Sequence, residues 1–327
     1  MTSLLEVDDL HVWFDPPHGG QVHAVQGVSF ELQPGERFGL VGESGCGKTT
    51  TILALMGLLP PNASLAGQVR VDGRNILAGG EDSVRQYRWK DIAMVFQGAM
   101  NALNPVKRVG WQIAEPMAFH GIAEGKAALK RAGELLELVG IPARSAERYP
   151  HEFSGGMRQR ASIAMALACE PRILLADEPT TALDVMVQAQ ILELLARLSD
   201  ELGLAVVLVT HDLAVVAQMC SRAAVMYAGE IAETGPMEAL YHDPQHPYTR
   251  LLFGATPDLF GTGDVTSIPG SPPRLDREAV GCPFRPRCDV PLDRCATDHP
   301  TLRQLGGGHF AACVRAGSGR ANLAEAK

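Results

Sequence analysis

The chain has 327 residues, of which 46% are hydrophobic, and a formal net charge of −8, which suits a globular protein of one large or two modest domains. No segment approaches the roughly 18–20 consecutive apolar residues of a membrane-spanning helix, and the N-terminal sequence lacks the basic start and long apolar region of a secretion signal. We therefore expect a soluble, cytoplasmic protein. The acidic balance gives no general basic field that would favour nucleic acid as a partner.

The spacing of apolar residues predicts an α/β protein. Short apolar runs predict strands at Phe30–Leu32, Arg37–Val41, Gly67–Val71, Ile173–Ala176 and Ala205–Thr210. Runs with helical spacing predict helices at Thr49–Leu59, Lys126–Val139, Gly155–Ala168 and Val185–Leu202. The alternation of short apolar strands and helices in the second half of the chain is typical of a parallel sheet with crossover helices.

The composition changes near Tyr241, where Pro, Gly, Arg and Cys become more frequent and regular periodicity is lost. We place a domain boundary there. This gives a main domain over residues 1–240, with a mainly helical region at about 98–168, and a C-terminal extension over residues 241–327. A linker rich in Gly and Pro is expected at residues 255–275.

Residues 42–49 read Gly-Glu-Ser-Gly-Cys-Gly-Lys-Thr, a complete phosphate-binding loop of the form G-x-x-x-x-G-K-[ST]. In such a loop, consecutive backbone N–H groups converge on an anion at the N-terminus of a helix. Lys48 reaches the β- and γ-phosphates, and the Thr49 hydroxyl ligates Mg²⁺. The expected nucleotide-binding residues of this segment are Gly42, Ser44, Gly45, Cys46, Gly47, Lys48, Thr49 and Thr50.

Polar residues follow three further strands. Asp177 ends one apolar strand and can hold Mg²⁺, and Glu178 is the natural general base for an attacking water, because phosphoryl transfer depends on positioned charge and an oriented nucleophile. His211 follows another strand, at the carboxyl end where α/β sheets place their ligands. Gln97 follows a third. Taken alone, His211 and Gln97 are also compatible with purely structural roles.

The order of these motifs resembles that of ABC-type ATPases. Between Gln97 and Asp177 lies Phe153-Ser154-Gly155-Gly156-Met157, which is similar to the signature motif of that family, and Glu178 is followed by Thr181-Ala182-Leu183-Asp184. The resemblance covers nearly the whole chain. It implies an α/β, P-loop ABC-type nucleotide-binding domain with a RecA-like parallel-sheet core, an antiparallel β subdomain and a helical subdomain, followed here by a small Cys-rich C-terminal extension.

The resemblance also implies roles for particular residues. Two such domains would bind two ATP molecules head to tail, so that each ATP contacts the phosphate loop of one subunit and Ser154–Gly156 of the other. Gln97 is assigned to Mg²⁺ and to the loop that couples hydrolysis to transport. Asp184 is assigned to communication between the two sites, and His211 to the γ-phosphate.

An aromatic residue at the end of the upstream strand stacks on adenine in this family, and Phe14 is the expected one. Trp13 is the alternative, because neighbouring side chains of a strand point to opposite faces and a shift of one residue exchanges them.

Together, the expected catalytic residues are Glu178, His211 and Gln97, and the expected Mg²⁺ ligands are Thr49, Gln97 and Asp177.

Several segments resemble one subgroup, the ATPase subunits of dipeptide, oligopeptide and nickel importers. They are the signature in its Phe-Ser-Gly-Gly-Met form, residues 96–105, His246-Pro247-Tyr248-Thr249 and residues 268–273. The resemblance implies an ATP-hydrolysing subunit, peripheral on the cytoplasmic face of the membrane, that powers peptide uptake through two separate permease subunits. It also implies an extracytoplasmic substrate-binding protein and a second, paralogous ATPase subunit as partners.

Three other functions are alternatives to be weighed against this pattern. A nickel or other small-solute importer shares the subgroup's motifs. An ABC-type ATPase acting on DNA or ribosomes would need a long coiled-coil insertion or a second ATPase domain, and the sequence shows neither. A degenerate, regulatory nucleotide binder is disfavoured because Glu178, His211, Ser154 and Gly156 are intact.

Residues 98–115 are candidates for a partly apolar groove that receives a helix of the permease. Met100, Leu103 and Trp111 are its expected apolar side chains. For each of them, a place in the core of the helical region is an equally good interpretation.

The seven cysteines fall into two groups. Cys46, Cys169 and Cys220 are isolated in the sequence and are expected to be small packing residues. The other four lie in the last fifth of the chain: Cys282, Cys288, Cys295 and Cys313. In a cytoplasmic protein, such crowding favours metal binding over disulfides.

The spacing of these four cysteines is C-x5-C-x6-C-x17-C, without the close pairs that structural zinc sites use. Thiolates suit zinc or iron–sulfur clusters, and relatives in the resembling subgroup can hold a [4Fe-4S] cluster on these cysteines. We therefore expect a [4Fe-4S] cluster that helps a small, loop-rich extension to fold, with Zn²⁺ as the alternative and unligated thiols or disulfides after that. The nearby His299 and His309 are interpreted as surface histidines.

Overall fold

The computed structural model describes residues 3–98, 102–255, 267–276 and 279–317. The strands within these residues are Leu5–Phe14 (β1), Val22–Leu32 (β2), Arg37–Val41 (β3), Ala63–Val71 (β4), Arg74–Asn75 (β5), Ile92–Val95 (β6), Ile173–Asp177 (β7), Ala205–Thr210 (β8), Arg222–Tyr227 (β9), Glu230–Pro236 (β10), Arg303–Gly306 (β11) and His309–Ala311 (β12). The α-helices are Lys48–Leu55 (α1), Gly80–Tyr87 (α2), Val109–Phe119 (α3), Gly125–Leu138 (α4), Gly155–Ala166 (α5), Val185–Leu202 (α6), Leu213–Met219 (α7), Met237–His242 (α8) and Pro247–Gly254 (α9).

The larger sheet has the strand order β11-β12-β10-β9-β3-β8-β7-β6, and its strands from β9 to β6 run parallel. Alternate residues of β7 pack into two different hydrophobic clusters. Leu174 joins the cluster formed with the helical region, and Leu175 joins the cluster formed with the smaller sheet. Because both faces are covered, the central strands are apolar throughout rather than alternating.

The register of the parallel strands brings their carboxyl ends to one edge of the sheet. Val41 at the end of β3 lies opposite Thr210 at the end of β8, and Asp177 at the end of β7 lies opposite Val209. The segments that follow β3, β7 and β8 therefore emerge side by side, which is where α/β sheets place their ligands.

The smaller sheet is antiparallel, with the order β2-β1-β4-β5. Its inward residues, among them Leu10 and Val25, share a hydrophobic cluster with Ile52 of α1. Helix α1 was expected to continue to Leu59, but it ends at Leu55 because Gly57 adopts a left-handed conformation with φ 59° and closes the last turn.

Helices α3, α4 and α5 pack around a common core that includes Ile113, Leu136 and Ile163. Leu103 is buried in the same core, so the groove interpretation was wrong for this residue and the core interpretation is correct. Met100 lies outside the described residues. Over the part of the chain that the structure describes, none of the helices has the length and apolar character needed to cross a membrane.

The described part of the C-terminal extension is joined to the larger sheet. Strand β12 pairs with β10, with Ala311 opposite Glu233. This pairing places His309 against Glu233, and the His309 Nε2 to Glu233 Oε1 distance is 2.6 Å in a buried environment. The surface interpretation was therefore wrong for His309, because the pairing of β12 with β10 buries its side chain. No local pattern indicated a pairing between strands so far apart in the chain. His299 is partly exposed and pairs with Glu230.

Candidate nucleotide-binding site

The phosphate loop connects β3 to α1, and two of its glycines leave no room for a side chain. At Gly42, with φ 150°, a Cβ would lie 2.2 Å from the carbonyl oxygen of Met226. At Gly47, with φ 106°, it would lie 2.5 Å from the carbonyl oxygen of Ala24. These close approaches fix a tight backbone path that leads directly into the N-terminus of α1, where an anion is stabilised by backbone N–H groups and the helix dipole.

Lys48, the first residue of α1, is buried and holds its ammonium group over the loop. Its Nζ donates hydrogen bonds to the carbonyl oxygens of Gly42 (2.7 Å) and Glu43 (2.9 Å). A phosphate oxygen bound at the loop would be a stronger, charged acceptor for the same donor. The side chain is thus poised at the place where the sequence motif requires it.

Asp177 lies at the end of β7 with its carboxylate beside Thr49. The Thr49 hydroxyl donates a hydrogen bond to Asp177 Oδ1 at 3.2 Å, so two of the expected Mg²⁺ ligands are adjacent. Asp177 is only 1% exposed, and this burial raises its pKa to about 6, although the hydrogen bond from Thr49 opposes the rise. A cation placed here would favour the charged carboxylate.

Glu178 is held by three polar side chains that come from three different segments. Its carboxylate accepts hydrogen bonds from Gln97 Nε2 (2.8 Å) and Thr181 Oγ1 (2.9 Å), and it lies 3.0 Å from His211 Nδ1. Partial burial acts to raise the pKa of Glu178, but the hydrogen bonds with His211 and Thr181 outweigh it and leave the pKa below its ordinary value. The fold therefore brings the three expected catalytic residues together around an ionised carboxylate.

The contact between Thr181 and Glu178 was not predicted, although Thr181 belongs to the segment Thr181-Ala182-Leu183-Asp184. Glu178 has φ 44°, a left-handed conformation that is uncommon for a residue with a side chain. The chain turns sharply at this point, with the Thr181 N–H donating to the Glu178 carbonyl oxygen. A turn of this kind returns residue 181 to the carboxylate, and the sequence carried no marker for it.

The signature segment begins α5 and faces outward. The exposed Ser154 caps the helix, its Oγ accepting a hydrogen bond from the Met157 N–H at 3.3 Å. A Cβ at Gly156 would lie 2.7 Å from Val187 Cγ1 in the first turn of α6, whose cap is Asp184. The signature and Asp184 thus belong to one surface, and an outward-facing helix N-terminus of this kind suits an anion supplied by another molecule.

The two aromatic residues at the end of β1 lie on opposite faces of the strand. Trp13 stacks on the imidazoles of His11 and His23, with ring centroids 5.3 Å and 4.7 Å apart. Phe14 packs instead against the cluster that contains Cys46 of the phosphate loop. Phe14 and Trp13 therefore lie in different surroundings, and only Phe14 packs against the cluster that includes a residue of the loop.

The isolated cysteines Cys46, Cys169 and Cys220 are buried, as expected of packing residues. The other four are free thiols that line one small cavity together with His246 and Phe284: Cys282, Cys288, Cys295 and Cys313. Backbone N–H groups point at three of their sulfurs, from Phe284 to Cys282, from Val290 to Cys288 and from Arg315 to Cys313. This is a donor pattern that stabilises thiolates.

Two observations bear on what this cavity can hold. Burial raises the pKa of the Cys288 thiol to about 11 and also raises those of Cys282 and Cys313, so the thiols are neutral unless a cation displaces their protons. Among the residues that the structure describes, no group of three or more His, Cys, Asp or Glu side chains is arranged to hold a metal ion. The four thiols therefore line one cavity but are not arranged as a metal site in this structure.

Two residues of the extension contact the phosphate loop. Tyr248 belongs to the segment His246-Pro247-Tyr248-Thr249, but nothing in the sequence indicated that Tyr248 or Arg287 would reach this loop. The Tyr248 hydroxyl and the Arg287 guanidinium both hydrogen-bond Glu43, across 205 and 244 residues of sequence. Contacts over such separations leave no local signal in a single sequence.

Taken together, these features define a class of protein. A glycine-restrained phosphate loop, a buried aspartate beside its threonine and a glutamate held by Gln97 and His211 meet at the carboxyl edge of a parallel sheet. This is a P-loop nucleoside triphosphate site with the parts that phosphoryl transfer requires.

Comparison with known proteins agrees with this class. Residues 25–181 match the family described as ABC transporter, and residues 232–295 match the one described as oligopeptide/dipeptide transporter, C-terminal region. The dipeptide transport ATP-binding protein DppD of Bacillus subtilis is 48% identical over 92% of this chain and 91% of its own length. The oligopeptide transport ATP-binding protein OppD of Mycobacterium tuberculosis is 48% identical over 96% of this chain, but the chain spans only about half (52%) of that relative.

Solved structures are also similar. The dimeric bacterial ABC transporter cassette MJ0796 has a TM-score of 0.63 and 31% identity, covering 71% of this chain and 98% of its own. CbiO1 of Clostridium perfringens, part of the ABC transporter complex cbiONQ, has a TM-score of 0.62 and 27% identity, over 74% of this chain and 92% of its own. The chain belongs to the family of ABC transporter ATP-binding proteins.

In the absence of Mg²⁺, the Asp177→Asn variant should be more stable than the wild type at neutral pH. Burial raises the pKa of Asp177 in the folded protein from its ordinary value of 3.8 to about 6. Above about pH 6 the folded protein therefore carries an unfavourable buried charge at Asp177, and below pH 3.8 the carboxyl group is neutral in both the folded and the unfolded chain. As pH rises through this window, the wild type loses free energy of unfolding and the isosteric variant does not. We expect the variant to gain about 2 kcal/mol near pH 7.5 and about half of that near pH 5.

Urea unfolding of both proteins at the two pH values in EDTA measures this difference. Other titrating groups are shared, so they cancel in the comparison. A difference that is the same at both pH values would contradict the burial of a charged carboxylate at this position.

Proposed function

We propose that this chain hydrolyses ATP and that the hydrolysis powers import of di- or oligopeptides through separate membrane subunits. The proposal treats residues 1–240 as the ATPase domain and residues 241–327 as an extension. The names of the relatives from Bacillus and Mycobacterium support a peptide substrate, as does the match of residues 232–295 to the C-terminal region of such transporters. These names favour peptides over nickel or nucleic acid.

The observation that carries the proposal is the set of hydrogen bonds around Glu178. An ionised carboxylate, oriented by Gln97 and His211 at the edge of the sheet where the phosphate loop begins, can accept a proton from a water that attacks the γ-phosphate. His211 is exposed beside it and would hydrogen-bond the γ-phosphate. A carboxylate held in this way would act as a base already positioned before substrate binds, and positioned charge of this kind lowers the barrier.

The remaining residues of the site would bind and orient the nucleotide. Lys48 and the loop N–H groups would neutralise the phosphate charge, and Phe14 would stack on adenine. The oxygen atoms of Thr49, Gln97 and Asp177 fit Mg²⁺, which prefers such ligands together with phosphates and water. When bound, Mg²⁺ would neutralise charge on the β- and γ-phosphates.

We further infer that the site is completed by a second ATPase subunit. Ser154 and Gly156 lie at an exposed helix N-terminus, and the neighbouring Val185 and Met186 are also exposed, which is unusual for apolar side chains unless a partner covers them. Asp184, which caps α6 beside the signature segment, would communicate whether one ATP site is occupied to the other ATP site. The cassette MJ0796, solved as a dimer, supports this arrangement, and the subgroup resemblance favours a paralogous partner.

A large apolar groove on the helical region supports a membrane partner. It has a volume of about 870 Å³ and lies between α3, α4 and Tyr149. Val106, Trp111 and Phe119 line it with large exposed apolar side chains, and Trp111 is 65% exposed. An amphipathic helix of a permease subunit would bury these side chains in the helix-in-groove manner.

This groove also supports a location for the chain at the membrane surface. A protein that docks a permease helix is peripheral to the membrane, and ATP is available on the cytoplasmic face. We propose two permease subunits, as the resemblance implies, with an extracytoplasmic substrate-binding protein that delivers the peptide.

The Glu178→Gln variant tests the catalytic assignment. Loss of the base should reduce ATP hydrolysis at least about 100-fold, while the intact phosphate loop still binds ATP. The variant should therefore accumulate as an ATP-bound dimer with its partner ATPase subunit. Phosphate release measures the rate, and size-exclusion chromatography with light scattering measures the dimer.

A matched control adds Ser154→Arg to the Glu178→Gln chain. This double variant should bind ATP at its own loop as well as Glu178→Gln does, because Ser154 contributes to the other subunit's site, but the dimer should be lost. Hydrolysis near the wild-type rate by Glu178→Gln would overturn the role of Glu178.

We also propose that the four cysteines of the extension hold a [4Fe-4S] cluster. The all-thiol donor set, its convergence on one cavity and the N–H groups aimed at three sulfurs support this ligand class. In such a cluster each thiolate binds a different iron, so the cysteines need not approach a common point. A single Zn²⁺, by contrast, would require its sulfur ligands to approach one point. The role would be structural, tying together an extension with few regular elements.

Iron and acid-labile sulfide should be present at about four each per chain in anaerobically purified protein. Cys295→Ser should lose both and lower the melting temperature, whereas the packing residue Cys169→Ser should keep both. Zinc without acid-labile sulfide in the wild-type protein would rule out the cluster.

A further inference from the structure

The C-terminal extension contacts the phosphate loop at Glu43. The guanidinium of Arg287 donates to both carboxylate oxygens of Glu43, Nη1 to Oε2 at 2.6 Å and Nη2 to Oε1 at 2.9 Å. This is a paired arrangement that arginine makes and lysine cannot reproduce. The side chain of Arg287 is only 4% exposed and that of Glu43 25%, so the pair is largely shielded from solvent.

Arg287 is itself fixed by its surroundings. Its Nε donates to the carbonyl oxygen of Pro269 at 2.7 Å, and the guanidinium lies over the rings of Tyr227 and Phe284. The hydrogen bonds to Glu43 raise the pKa of Arg287 further above its usual range, so the positive charge is permanent. The short 3₁₀ helix Arg285–Arg287 leads directly into Cys288, which ties this contact to the cysteine-lined part of the extension.

A second contact reaches the backbone of the same residue. The Tyr248 hydroxyl accepts a hydrogen bond from the Glu43 N–H at 2.9 Å. Tyr248 is fully buried, and its ring packs against Tyr227 and Phe284, so the hydroxyl has little freedom to move. Glu43 is thereby held at its N–H by Tyr248 and at its carboxylate by Arg287, while its carbonyl accepts from Lys48.

These contacts matter for nucleotide binding because of charge. Glu43 places a carboxylate within the loop that binds a triphosphate, and two anions near each other in a partly buried site repel. Arg287 neutralises that carboxylate and fixes its direction. Without Arg287, the loop would carry an unpaired, partly buried negative charge beside the phosphates, which is far more costly than the loss of an exposed ion pair.

We propose that Arg287 and Tyr248 are positioning residues for ATP binding: the extension acts as a brace that neutralises Glu43 and holds the phosphate loop in its anion-binding conformation. The inference rests on the proposed ATP site and extends it to residues of the extension that touch no substrate. It assigns the extension a direct part in nucleotide affinity, beyond any structural role of its cysteines.

The test is equilibrium binding of a fluorescent ATP analogue to the full-length chain, with the melting temperature measured in parallel. Arg287→Met should weaken binding at least about tenfold. Glu43→Gln together with Arg287→Met should bind within about threefold of the wild type, because the unpaired carboxylate is gone. Arg287→Lys should recover part of the loss, since it restores charge but not the paired geometry.

Arg250→Met is the matched control. It breaks another arginine–carboxylate pair of the extension, with Asp289, which does not reach the loop, and it should bind the analogue like the wild type. If Arg287→Met fails to fold, Tyr248→Phe provides the same test through the Glu43 N–H, with weaker binding expected at an unchanged melting temperature.

The outcomes separate this inference from the proposed function. A wild-type chain that does not bind the analogue, or that binds it equally well after Lys48→Ala, would contradict the ATP site itself. Wild-type binding that depends on Lys48 but is unchanged in Arg287→Met and Tyr248→Phe would overturn the brace. A double variant no better than Arg287→Met would overturn the charge argument.

Discussion

The parallel register of the central strands is the constraint on which the rest of the structure depends. Because β3, β7 and β8 end at one edge, the phosphate loop, the Asp177-Glu178 pair and His211 emerge next to one another. A shift of one residue in the pairing of β7 with β8 would turn Asp177 away from Thr49 and separate Glu178 from His211. The apolar strands are thus long-range positioning elements for a small polar site, and their burial on both faces is what fixes the register.

Much of this was predictable from the sequence because the signals are local. Arg37–Val41, Ala205–Thr210 and Val185–Leu202 have the bounds that periodicity predicted, and the phosphate loop identifies itself by spacing alone. Contacts between distant segments could not be read in this way. The pairing of β12 with β10 and the contact of Arg287 with Glu43 depend on chain segments meeting only after folding, so His309 and Arg287 carried no visible marker.

The contacts around the phosphate loop and Glu178 come from two parts of the chain, residues 1–240 and the C-terminal extension. Glu178 is held by hydrogen bonds from several segments, whereas the N-terminus of α5 at Ser154 and the apolar groove around Trp111 are exposed among the residues that the structure describes. The extension adds contacts of its own to the phosphate loop, through Tyr248 and Arg287. The extension thus restrains the phosphate loop, while the exposed surfaces suit the partner subunits proposed above.

The central claim is that this site drives a membrane partner through the groove. The most direct measurement places a photo-crosslinking amino acid at position 111 and, as a control, at Leu202, which is also exposed but lies at the far end of α6. After illumination of the copurified complex, mass spectrometry should find an adduct between position 111 and a cytoplasmic helix of a membrane subunit, and none from position 202. Equal labelling from both positions, or no membrane-subunit adduct from position 111, would contradict the claim.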